Sequence, residues 1–187
     1  MSTGKNTDEP IFAEQGKAGL KIFLIGFMGC GKTHIGHELS KKLVLPFFDL
    51  DHQIEEKEEK PVTAIFKEYG EDYFRALEKD VLYFITETHD SFVMAAGGGT
   101  PCFFNNIGYM KNRGTVLWLN CSIDCLYERL TTEREKRPLI NGLSDEQLRS
   151  YIEKKLADRK IYYEQATTVV TDDNPKLDDM VSKLFHT

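Results

Sequence analysis

Nowhere in this sequence does an apolar run approach the roughly 20 residues that a membrane-spanning helix needs. The opening stretch MSTGKNTDEPIFAEQGKAG lacks both the basic start and the apolar centre of a secretory signal, so residues 1–19 read as a flexible leader. A basic surplus is also missing: the formal charge is −6, which disfavours nucleic acid as a partner. The four cysteines, Cys30, Cys102, Cys121 and Cys125, show neither CxxC pairing nor zinc-finger spacing, and reduced thiols in a cytoplasm are the simplest reading. Internal repeats and low-complexity tracts are absent too. What remains, 187 residues with 41% hydrophobic and 29% charged side chains, suits one globular domain over residues 20–187.

The patterning alternates between strand and helix. Short apolar runs at 21–25, 46–50, 92–96, 115–119 and 167–171 read as five strands. Between and after them, helical stretches are expected at 33–43, 51–59, 64–88, about 103–112, 122–130, 145–165 and 175–185, with a break at Gly70 and Thr63 as a cap. Strands that alternate with helices imply a parallel sheet covered on both faces, a three-layer α/β/α arrangement.

The first strand runs into FLIGFMGCGKTHIG, in which Gly26, Gly31, Lys32 and Thr33 fit G-x-x-x-x-G-K-[ST]. A strand precedes the match and a helix follows it, the context that gives this pattern its meaning. Glycines let backbone N–H groups approach phosphate closely, and the helix N-terminus favours negative charge. Lys32 reaches the β and γ phosphates, and Thr33 offers a hydroxyl to Mg²⁺. Cys30 in this loop reads as a small tolerated residue rather than a nucleophile. The loop alone leaves open whether the phosphate goes to water, to a protein motion or to a second substrate.

Asp49 and Asp51 stand at the end of the second expected strand, the sheet end where ligands of open α/β folds bind. One carboxylate suits a hydrated metal and the other an acceptor hydroxyl, although Asp51 before HQIEE would also cap a helix. The triple glycine Gly97, Gly98 and Gly99 after the third strand costs unfolded-state entropy and argues for close approach of a ligand or of backbone. Thr131 to Ser144, dense in charge, reads as a mobile lid over residues 131–144.

In order along the chain, FDLDHQIE, IFKEYGEDYFRALE, GGGT and RPLI follow the glycine loop. Together these motifs make the sequence resemble the shikimate kinase family, small P-loop enzymes related to nucleoside monophosphate kinases, from about Lys21 onward. The resemblance implies a five-stranded parallel sheet in the order 2-3-1-4-5, and transfer of the γ-phosphoryl group of Mg·ATP to the 3-hydroxyl of shikimate by a cytoplasmic monomer. It assigns Gly29 to His34 (Gly29, Cys30, Gly31, Lys32, Thr33, His34) to the nucleotide and Thr33 with Asp49 to the metal, with Asp51 as general base. It gives Arg75, Arg159, Asp51, Gly97, Gly98 and Gly99 to shikimate, in an acceptor-binding segment over about 51–80. Arg137 would reach the transferring phosphate from the lid, and Arg129 and Pro175 would border the adenine. Glu78 would orient Arg75. Two alternatives remain at this point: a related small-molecule kinase such as a gluconate kinase, and a silent relative acting as a binding module.

Overall fold

A computed structural model describes residues 19–137 and 139–185; the side chain of Lys136 lies outside that description, as do Pro138 and nearly all of the expected leader. In chain order the elements are β1 (Lys21–Ile25), α1 (Lys32–Leu43), β2 (Phe47–Asp49), α2 (Leu50–Glu58), α3 (Val62–Thr88), β3 (Phe92–Ala95), α4 (Asn106–Arg113), β4 (Thr115–Leu119), α5 (Ile123–Thr132), α6 (Asp145–Tyr163), β5 (Thr168–Val170) and α7 (Leu177–Phe185). Short 3₁₀ turns occupy Thr100–Cys102 and Arg134–Lys136. The strands form one parallel sheet in the order β2-β3-β1-β4-β5.

Side chains on a strand alternate between faces, and here both faces are apolar. In β1, Ile22 and Leu24 join a core with Leu39, Leu126, Ile152 and Met180, under α1, α5, α6 and α7. Phe23 and Ile25 enter the opposite core with Leu50, Ile54, Leu82 and Met110, under α2, α3 and α4. This two-sided burial explains why β1 reads as an unbroken run, KIFLI, rather than as an alternating one. Among the described residues no helix is long and apolar enough to cross a membrane.

Three local expectations need correction. Thr63 does not cap α3, because Pro61 fixes the entry to the helix and the Glu55 carboxylate accepts a hydrogen bond from Val62 N at 2.8 Å, doing the capping from a neighbouring helix. Asp51 does not cap α2 either; Asp49 does, accepting from His52 N. The helix expected near 103–112 starts at Asn106, since Phe104 and Asn105 both adopt left-handed backbone angles that stop it extending backward. Within the expected lid, Arg134 is half-buried and donates to Leu143 O and Asp145, tying the start of α6 to the segment before it. The break at Gly70 is present: φ is 82° and ψ is 176° inside α3.

The expected lid segment contributes to helices at both ends and to the core. Its first residues complete α5, Ile140 is fully buried in the core, and Ser144 closes a capping box with Gln147 at the start of α6.

Candidate active site

The functional side chains converge because a parallel sheet puts all its strand C-termini at one end. From β1 comes the glycine loop. Gly31 is the N-cap of α1 and has no side chain to cap with, so the first N–H groups of the helix stay free for an anion. Gly29 and Gly31 take φ of 80° and 93°, left-handed values that let the loop fold around a bound phosphate. Lys32 Nζ lies 2.9 Å from Gly26 O and 3.0 Å from Phe27 O, braced against the loop that it would leave to meet phosphate.

Asp49 ends β2, and its Oδ2 accepts a hydrogen bond of 2.7 Å from Thr33 Oγ1. These are two hard oxygen donors, one from the start of α1 and one from the end of β2, facing the cradle, which is the chemistry a Mg²⁺ ion selects. Asp51 lies in the first turn of α2 rather than on the strand, yet it lines the same cradle as Asp49, because the helix begins at Leu50 and turns the chain. Protein packed around its carboxyl pushes Asp51 up to about 6, with the negative charges of Glu78 and Asp49 adding to that rise and Lys32 and Arg75 opposing it. The residue stays open to solvent on the cavity side.

Beside the cradle lies a cavity of about 410 Å³ lined by Asp51, Phe66, Phe74, Arg75, Gly97, Gly98, Arg137 and Arg159, among others. Arg75 is the most constrained of these. Its Nη1 donates to the fully buried Glu78 at 2.8 Å, its Nε and Nη2 donate to the exposed Glu71, and its guanidinium stacks 4.4 Å from the Phe103 ring and 5.2 Å from the Phe74 ring. Gly97, Gly98 and Gly99 do not need left-handed angles; what they need is room. A Cβ on Gly97 would sit 2.6 Å from Glu78 Oε1, on Gly98 3.2 Å from Arg159 Nη1, and on Gly99 2.6 Å from Arg75 Nη2.

On the other side of the glycine loop is a cavity of about 560 Å³ lined by Gly29, Cys30, Gly31, His34, Arg129, Asp173 and Pro175, among others. Arg129 is anchored there rather than solvated: Nη1 donates to Gly29 O at 3.3 Å and Nη2 to Asp173 O at 2.6 Å. His34 is exposed at the mouth. Cys30 is buried; the Cys121 thiol and the Lys32 ammonium pull its thiol below the usual range, and burial works against them. Arg137 lines both the cradle and the acceptor cavity, held by Glu133 through Nε at 2.9 Å and Nη2 at 2.5 Å.

Every site residue expected from the sequence thus borders one of these three adjoining spaces or, in Gly99, backs the Arg75 guanidinium. Residues that the sequence reading missed are supporting ones. Tyr163 donates to Gly98 O at 2.5 Å, and the buried Thr100 donates to Glu78 Oε1 at 2.6 Å. Tyr163 stands four residues after Arg159 on α6, a helical spacing that placed it on the same face. Glu133 likewise stands four residues before Arg137, whereas Thr100 had no such signal, because its partner Glu78 lies 22 residues away on α3.

The fold and the site together define a P-loop phosphotransferase with a second cavity for a small polar acceptor. The family model for shikimate kinase matches residues 28–187. A shikimate kinase of Flavobacterium johnsoniae is 39% identical over 166 residues, covering 88% of this chain and 96% of the relative. Among solved structures, shikimate kinase from Bacteroides thetaiotaomicron superposes with a TM-score of 0.84 at 35% identity over 90% of this chain and 99% of that one. Shikimate kinase from Acinetobacter baumannii in complex with shikimate superposes with a TM-score of 0.79 at 29% identity, covering 91% and 93%. The chain belongs to the shikimate kinase family.

Proposed function

We infer that this chain transfers the γ-phosphoryl group of ATP to the 3-hydroxyl of shikimate, giving shikimate 3-phosphate and ADP in aromatic amino-acid biosynthesis. One observation carries the reading: Arg75, Arg159, Asp51 and bare backbone at Gly97 and Gly98 face a single cavity that shares Met28, Asp51, Gly97, Gly98 and Arg137 with the phosphate cradle. Two guanidinium groups suit a carboxylate, and a carboxylate with bare amides suits ring hydroxyls.

In this reading Asp51 accepts the proton of the attacking hydroxyl. Lys32 and Arg137 place positive charge against the oxygens of the transferring group. Thr33 and Asp49 would hold Mg²⁺, which would supply positive charge to offset that of the phosphates. Arg129 and Pro175 flank the nucleotide in the larger cavity. The same reading makes the chain a cytoplasmic monomer.

The test is ADP release with Mg·ATP against shikimate, gluconate, a panel of nucleoside monophosphates and water alone. Turnover that depends on shikimate is the expected result; ATP binding with no shikimate-dependent turnover overturns the assignment.

A narrower expectation concerns Arg75. Replacing it by lysine removes the planar fork while keeping the charge, so Arg75→Lys is expected to raise the KM for shikimate roughly ten- to a hundredfold. The KM for ATP should change by less than about threefold, since Arg75 borders only the acceptor cavity. Equal losses for both substrates would remove Arg75 from the acceptor site.

A further inference from the structure

Three side chains to which the phosphoryl-transfer reading gives no role meet at the edge of the nucleotide cavity, whose lining includes Asp173. Cys121 follows β4, Cys125 stands in the first turn of α5, and Asp173 follows β5; each presents one ligand atom, and all of these atoms lie within 4.8 Å of one another. We propose that Cys121, Cys125 and Asp173 form a binding site for one thiophilic divalent cation of the zinc type.

The sequence hides this site because its third member is remote. The two thiols are four residues apart at the start of a helix, whereas the carboxylate arrives from the next strand, β5, which pairs with β4. Two thiolates and a carboxylate are a donor set that zinc selects over Mg²⁺. Tetrahedral zinc, with Zn–S near 2.3 Å and Zn–O near 2.0 Å, needs sulfur atoms about 3.8 Å apart and each sulfur about 3.5 Å from the oxygen, so the ligand atoms have to draw in by at most about 1.3 Å. Cys125 and Asp173 are only half-buried, which leaves an entry path and a fourth position for water.

The surroundings complete the site. Asp173 Oδ1 accepts from Ser122 N at 2.7 Å and Oδ2 from Ser122 Oγ at 2.6 Å, contacts that fix the carboxylate and leave further lone pairs for a cation. Two thiolates, one carboxylate and a 2+ ion sum to one negative charge. Arg129 Nη1, 3.8 Å from Cys121 Sγ, supplies the balancing positive charge. On binding, two S–H bonds break and two metal–sulfur bonds form, and both protons go to solvent; the Cys121 thiol gives up its contact of 3.5 Å to Cys30 O in doing so.

The test is a titration of the full chain, stripped of metal and kept reduced, with Co²⁺ as the spectroscopic probe and Zn²⁺ as competitor. Expected are one Co²⁺ per chain, a thiolate-to-cobalt charge-transfer band, and loss of that band on adding Zn²⁺. Cys125→Ser should weaken Co²⁺ binding roughly a hundredfold or more, and Asp173→Asn roughly tenfold or more, with far-UV circular dichroism unchanged; Cys102→Ser should bind as the parent does. A parent protein without the band overturns the site, as does a band that survives Cys125→Ser and Asp173→Asn alike, or one that Cys102→Ser weakens equally.

Discussion

Asp51→Asn is expected to lower kcat by roughly a hundred- to ten-thousandfold while changing ATP affinity less than about threefold. The amide keeps the size and the hydrogen-bonding reach of the carboxylate but cannot take a proton from the acceptor hydroxyl. With the Asp51 carboxyl pushed up to about 6, chiefly by surrounding protein and then by Glu78 and Asp49, the group is a competent base at neutral pH and a weak one in acid. For the parent protein kcat/KM should therefore fall about tenfold per pH unit below about 6, and that limb should vanish in the variant. A wild-type-like kcat in Asp51→Asn would remove the residue from the chemistry.

The same carboxyl makes a statement about stability, with a definite sign. Its pKa in the folded chain lies above the unfolded value near 3.8, so between about pH 4 and pH 6 the folded state binds more protons. Stability from this group is thus full in acid and is lost as the pH rises through about 6. At pH 7 Asp51→Asn is expected to melt higher than the parent, and at pH 4 that advantage should shrink. Solvent in the open cavity keeps the effect small.

Lys32→Ala is the second large effect. An ammonium in the cradle offsets charge on the transferring phosphoryl group, and removing one such preorganised donor costs roughly a hundred- to a thousandfold in kcat. The alanine variant also loses the braces to Gly26 O and Phe27 O, so ATP affinity should fall along with turnover. Shikimate binding, measured without nucleotide, should stay within about threefold of the parent, because Lys32 does not line the acceptor cavity. Turnover above a tenth of the parent's would mean that Lys32 serves the loop and not the phosphate.

The elements most legible in the sequence were those set by short-range rules. β1 and β4 were read to the residue because each is an apolar run bounded by polar or glycine-rich chain. The glycine loop was legible for the same reason, since its chemistry lies within eight consecutive residues. The start of α3 was misread because its cap comes from Glu55 on another helix, which no local pattern encodes. Asp49 and Asp51 were legible as a pair at the right end of the sheet, and the helix turn at Leu50 is what brings both to the cradle. Supporting contacts such as Thr100 to Glu78 span 22 residues and depend on packing alone.

The crowding of Gly99 against Arg75 bears on how such a chain can change over generations. A side chain at position 99 would press into a guanidinium that two carboxylates and two aromatic rings already hold still, so the arginine has little freedom to give way. The two positions are therefore epistatic: Gly99→Ala should do less harm once Arg75 has been shortened than before, and the two effects should not add. Of the two orders in which a lineage could lose this pair, the one that passes first through a changed Arg75 is the easier, and as long as the arginine is retained the glycine is locked in behind it.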